Sequence, residues 1–173
     1  MINVFDDSIY KSISSYTLPS YSEIPDVGLY LNQCATYINK VLEPLYGISI
    51  TESMISNYVK KKIIENPIKK MYPRSTISEL IFISITKNAA PLDSISFLLS
   101  SLREKYNSED FYNYFKNEFE SRLSVVFSQN DSSEVRGDSE IEILFKNLIN
   151  TSIQIVHMDI LFARLRGKDE NNE

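Results

Sequence analysis

Four glycines in a chain of 173 residues leave few places for a tight reversal. Glycine is the residue that enters left-handed backbone at no steric cost, and short turns depend on it. A β-sandwich needs a turn roughly every ten residues. This chain cannot supply them, so long helices with few connections are expected, an all-α architecture. Hydrophobic residues make up 43% of the sequence, enough for a packed core. The length suits one domain, or a small domain with a helical extension.

Cys34 is the one cysteine, so no internal disulfide can form and a reducing compartment is the natural setting. Met1 to Tyr10 include Asp6 and Asp7 and no apolar run, which argues against a signal peptide. The apolar stretch from Glu79 to Ala90 is broken by Ser84, Thr86, Lys87 and Asn88, too soon for a membrane span. A cytoplasmic protein without membrane contact is expected.

Residues 1–25, rich in Ser and Tyr, read as an irregular arm packed by Tyr10, Tyr16, Leu18 and Tyr21. Asp26 is a plausible N-cap for a helix whose stripe is Val27, Tyr30, Leu31, Cys34, Ile38, Val41 and Leu45. Thr51 caps a second helix, to about Lys62, with Glu52 in the first turn, where the helix dipole favours an acid. Asn66-Pro67 signals a turn, and Ile63-Ile64 with Ile68 to Tyr72 are expected to form a short hairpin. Thr76 and Glu79 have capping-box spacing for a third helix. Pro91 ends it, and Asp93 or Ser94 caps a fourth. A fifth helix is expected over about 108–127. Residues 128–138 are polar and read as a mobile loop. The last helix, about 139–166, is apolar nearly all round and needs enclosure by other helices or a second subunit. Residues 168–173 form a charged tail. The expected division is an arm (1–25), a middle domain (26–105), a C-terminal helical dimerisation or effector region (106–167) and the tail.

The net charge of −5 argues against nucleic acid until its distribution is seen. Between Lys60 and Arg74 lie Lys60, Lys61, Lys62, Lys69, Lys70 and Arg74 with a single acid, Glu65, a local net of +5. The rest of the chain is strongly acidic. A basic patch on an acidic body is an electrostatic footprint for a polyanion. On the helix that Thr51 opens, Ile55, Tyr58 and Val59 share one side, and Ser53, Ser56, Asn57 and Lys60 share the other. Short polar side chains let a helix approach base edges in the major groove, and an Asn amide can pair with adenine. Asn57 is the candidate base reader. Thr51, Lys60, Lys61, Lys69, Lys70, Tyr72, Arg74 and Ser75 are candidates for the phosphate backbone, which positions without reading sequence.

Pro67, Tyr72 and Arg74, then Ile77, Leu80, Phe82-Ile83 and Leu92-Asp93-x-Ile95, resemble the core of MerR-type winged helix-turn-helix domains. The stretches from Leu18 to Asp26 and from Ile50 to Lys60 narrow the likeness. Together they resemble a bacterial domain of unknown function, number eighteen thirty-six, found chiefly in low-GC Gram-positive bacteria. The resemblance covers roughly residues 18–105 and implies a winged helix-turn-helix with a short wing, followed by a C-terminal helical extension, in a group thought of as transcriptional regulators. Ser56-Asn57-Tyr58 stands where MerR-type recognition helices usually carry Arg-Tyr-Tyr.

The remaining chemistry-bearing residues read as structural. His157 sits in the apolar last helix without metal-ligand partners, and Cys34 lies on an apolar stripe without a cation to activate it. No phosphate-binding glycine loop, nucleophile elbow or metal-spaced ligand set is present, so neither enzyme nor cofactor is expected. The expected function is a transcriptional regulator binding double-stranded DNA as a homodimer, with room for a small-molecule or protein effector. The alternative is a protein-interaction module that uses a winged-helix scaffold without DNA.

Overall fold

The computed structural model describes residues 8–128 and 135–169, including seven α-helices and one two-stranded sheet. The helices are α1 (Ser8–Ser14), α2 (Leu31–Leu42), α3 (Glu52–Lys60), α4 (Arg74–Thr86), α5 (Leu92–Lys105), α6 (Ser108–Ser128) and α7 (Glu140–Asp169). Strands β1 (Leu29–Tyr30) and β2 (Met71–Tyr72) pair antiparallel, Leu29 opposite Tyr72 and Tyr30 opposite Met71. The mostly helical outcome is what glycine scarcity dictates. No helix among the described residues is long and apolar enough to cross a membrane.

Helix α4 is the centre of the molecule. Every residue from Thr76 to Thr86 is buried except Glu79, which is half-buried. Three of its buried hydroxyls are satisfied within the helix: Ser78 donates to the Ser75 carbonyl at 2.7 Å, Ser84 to Leu80 at 2.6 Å and Thr86 to Phe82 at 2.9 Å. These polar side chains therefore enter the core without the cost of an unmade hydrogen bond. Phe82 meets Phe111 and Phe115 of α6 edge-on, at 5.5 and 5.2 Å, and stacks on Phe145 of α7 at 5.9 Å. One contiguous core runs from Tyr10 in α1 to Ile160 in α7.

Several local expectations change. The arm is partly helical: α1 and a 3-10 turn at Tyr21–Glu23 bring Tyr10, Ile13, Leu18 and Ile24 into the core. Asp26 does not cap a helix. Gly28, at φ +80°, turns the chain into β1, and α2 begins only at Leu31; Val27 is exposed. Thr76 and Glu79 form no capping box, because α4 already starts at Arg74 behind Pro73. Likewise α5 starts at Leu92 behind Pro91, not at Asp93 or Ser94. In both cases a proline, whose fixed φ suits a helix entrance, sets the start. Helix α7 is not enclosed all round: Ile143, Leu144, Met158, Phe162 and Leu165 stay exposed. Of the expected mobile loop, residues 129–134 lie outside the described residues, as do residues 1–7 of the arm and 170–173 of the tail.

Candidate nucleic-acid interface

Helix α3 is set at both ends by side-chain chemistry. At its start the Thr51 hydroxyl accepts the Met54 N–H at 3.2 Å, the cap expected from sequence. The link before it is clamped to α2 by Asn39, whose amide donates to the Ile50 carbonyl and whose carbonyl accepts the Ile50 N–H, both at 2.8 Å. Lys87 of the α4 C-cap donates to the Ser49 carbonyl.

At the other end the helix stops in a Schellman motif. The Lys62 N–H reaches the Val59 carbonyl and the Ile63 N–H the Tyr58 carbonyl, each at 2.9 Å. Ile63 and Tyr58, the paired apolar positions of that motif, are both buried. The motif needs a left-handed residue, normally glycine; here it is Lys62 at φ 58°. Arg103 of α5 secures the turn. It donates to the Ile63 carbonyl at 2.8 Å and grips both Glu79 oxygens at 2.7 Å. Its hydrogen bonds to Glu79 push the Arg103 guanidinium pKa upward, against desolvation.

With Ile55 and Tyr58 facing the core, Ser53, Ser56, Asn57 and Lys60 are all exposed, as are Thr51 and Lys61. The two faces of α3 fall as its periodicity predicts.

The hairpin is smaller than expected and differently built. Ile63 and Ile64 are buried and pair with no strand. The reversal is a two-residue turn, Ile68-Lys69-Lys70-Met71, closed by reciprocal Ile68–Met71 backbone hydrogen bonds of 2.9 Å. Lys69 and Lys70 have φ 49° and 66°, the type I′ pattern in which Asn and Gly are favoured. The strand leaving the turn, β2, pairs instead with β1, ahead of α2. Proximity along the chain favours the residues before the turn as partners; the true partner is about forty residues away and leaves no local signal.

Two of the candidate contacts turn inward. Tyr72 is buried, 4% exposed, and burial raises its phenol pKa. Arg74 donates to the Ile24 carbonyl at 2.7 Å and Ser22 at 3.2 Å, lies 3.8 Å from Asp26, and sits over the Tyr21 ring. It ties the arm to α4 rather than facing outward. Ser75 is half-buried, its carbonyl engaged by Ser78. Lys60, Lys61, Lys62, Lys69 and Lys70 are all exposed, and among the described residues none makes a side-chain hydrogen bond or ion pair. Sequence reasoning missed Arg103 as the residue that fixes the α3 turn; its partners are remote in sequence and carry no local signal.

Cys34 is buried, with its thiol pushed up to about 12 by desolvation, and His157 is held below the usual histidine range by burial against Tyr10 and Phe127. Neither lies in the α3 segment.

These features define a helical protein that displays one polar helix ending in three consecutive lysines and an adjoining lysine turn in the sequence order strand, helix, helix, turn, strand, helix. The family model for a domain of unknown function, DUF1836, matches residues 19–116, more than half of the chain, and the chain belongs to that family. The matched stretch holds α2 to α5 and stops inside α6; α7 lies beyond it. No curated protein matches the chain, and no solved structure does.

Proposed function

We propose that this protein is a DNA-binding transcriptional regulator of the winged helix-turn-helix kind. Helix α3 enters the major groove and the Lys69-Lys70 turn is the tip of a minimal wing on the phosphates. The observation that carries this reading is backbone strain. The three non-glycine residues with left-handed φ among the described residues are Lys62, Lys69 and Lys70. Left-handed backbone costs a side-chain-bearing residue about 1–2 kcal/mol. Strain of this sort clusters at functional sites. A lysine held three times where glycine or asparagine is cheaper points to a need for the cation. The exposed short side chains of Ser53, Ser56 and Asn57 suit close approach to base edges. The β1-α2-α3-turn-β2-α4 order agrees with the MerR-type arrangement that the sequence resembles.

The test is polarisation titration of labelled duplexes at two salt concentrations. Lys69→Ala with Lys70→Ala should weaken binding to every sequence and flatten the log–log salt slope by roughly 1.8, about 0.9 for each phosphate no longer neutralised. Asn57→Ala should leave that slope alone and cost about 1–3 kcal/mol of discrimination at one base pair. Absence of binding to any genomic fragment at low salt sinks the proposal.

A further inference from the structure

Between the start of α4 and the end of α5 lies a cleft of about 340 Å³, whose walls include Glu65, Ser75, Thr76, Glu79, Arg103 and Ser108. That volume falls at the small end of the range for small-molecule sites. Through Glu65 and Arg103 the cleft continues into a second one of about 460 Å³ beside Lys62.

The polar groups here are unevenly satisfied. Thr76 is 3% exposed, yet its hydroxyl makes no hydrogen bond among the described residues, unlike those of Ser78, Ser84 and Thr86 on the same helix. A polar group that deep in a fold ordinarily has a partner. The helix start around it is open as well. The first helical bond of α4 runs from the Ile77 N–H to the Pro73 carbonyl, and Pro73 supplies no side-chain cap. The backbone N–H groups of Ser75 and Thr76 therefore have no helical acceptor. Arg103 spends its Nε and Nη2 on Glu79 and on the Ile63 carbonyl, while its Nη1 makes no hydrogen bond among the described residues. Glu65 is exposed and has neither a hydrogen bond nor an ion pair among the described residues.

From these groups we infer that the cleft is a binding site for a free amino acid. The Thr76 hydroxyl, the Ser75 and Thr76 N–H groups and Arg103 Nη1 are donors for a carboxylate, and the helix start adds its partial positive charge. Glu65 is the counterpart for an ammonium group. Charge decides among ligand classes. Glu79 already neutralises Arg103, so a phosphate would face Glu79 and Glu65 with no cation to spare. A simple cation would leave the donors at the start of α4 unused. One carboxylate and one ammonium, a few bonds apart, answer both poles, and the adjoining cleft gives a side chain room. The site does not rest on the DNA reading, because its ligand is titrated into the protein alone.

Isothermal titration calorimetry of the full chain, with each common amino acid in turn, tests it. At least one is expected to bind with a dissociation constant below about one millimolar. For that amino acid, the N-acetyl derivative lacks the ammonium and the α-amide lacks the carboxylate; each should bind about tenfold more weakly. Thr76→Val keeps the shape and removes the hydroxyl, and Glu65→Gln removes a surface charge; each should also weaken binding about tenfold, with unchanged helical circular dichroism. Glu65→Gln carries the test alone if Thr76→Val does not fold. No heat from any amino acid at about ten millimolar overturns the inference, and so does binding that survives Glu65→Gln unchanged. Inorganic phosphate, titrated alongside, should give no heat. Phosphate binding tighter than every amino acid would overturn the assignment in favour of a plain anion site.

Discussion

Two sets of cations in this protein stand in contrast. Arg74, Lys87, Arg103, Lys105, Lys116, Arg122 and Lys146 all spend their hydrogen bonds inside the molecule, on carboxylates or on backbone carbonyls. Lys60, Lys61, Lys62, Lys69 and Lys70 spend none among the described residues. The first group sits where the fold needs a donor: at the end of α3, at the start of α4, between α5 and α7. The second sits between Lys60 and Lys70, where three of the five lysines hold left-handed backbone angles. An abundance of acids elsewhere could have neutralised those lysines, and the fold keeps them apart. The difference separates charge that builds structure from charge that is presented outward.

Arg103 gives the largest effect that can test this division. Its removal leaves Glu79, only 13% exposed, without its guanidinium, and the Ile63 carbonyl without a donor. Arg103→Ala should cost about 2 kcal/mol, kept modest by the 37% exposure of the arginine side chain. That corresponds to a fall in thermal midpoint of roughly 4–8 °C for a chain of this size. Arg103→Lys should recover little of it, because an ammonium cannot hold both Glu79 oxygens and the carbonyl as a planar fork does. A thermal melt unchanged by Arg103→Ala would erase the distinction between the two groups.

What can be read from sequence divides along the same line. Some local signals hold: the Thr51 cap, the two faces of α3 and the basic run can each be read within a dozen residues, whereas the caps read at Asp26, at Thr76 with Glu79 and at Asp93 or Ser94 do not form. Interactions across long separations leave no local signal at all. Nothing near Arg74 marks it as the strap for Ile24, fifty residues earlier, and nothing near Met71 marks Tyr30 as its strand partner. The two helices rich in apolar residues also exchange roles. Periodicity singles out α7 as the helix to be enclosed, whereas α4 is buried on every side and α7 keeps an exposed stripe. Apolar content says how much of a helix can be covered; only packing says how much is.

The lysine turn should behave oppositely to Arg103. Asn and Gly are the preferred central pair of a type I′ turn, so Lys69→Asn with Lys70→Gly should stabilise the protein by about 1 kcal/mol. Denaturant unfolding would show the midpoint rising at constant slope. The same variant should lose affinity for duplex DNA at all sequences. Stability up and affinity down, in one molecule, is the signature of lysines retained for a partner. If stability falls, the turn is held by its lysines and the strain argument fails.

Lys62 is the finest version of the same test, because only one residue changes and its side chain has no hydrogen-bonding partner among the described residues. It occupies the left-handed position of the Schellman motif at φ 58°, exposed, with Ile63 and Tyr58 carrying the hydrophobic closure. Lys62→Gly removes the steric penalty of the Cβ but gives the unfolded chain more freedom, so the two effects partly offset. The expected gain is a few tenths of a kcal/mol, about 0.5 at most, and measurable by denaturant titration. Lys62→Ala separates the contributions, since it keeps the Cβ and drops the charge. It should leave stability near that of the parent while matching Lys62→Gly in its weaker duplex binding. Equal duplex affinity in all three proteins would mean that this lysine faces no phosphate, and would confine the interface to Lys60, Lys61 and the turn.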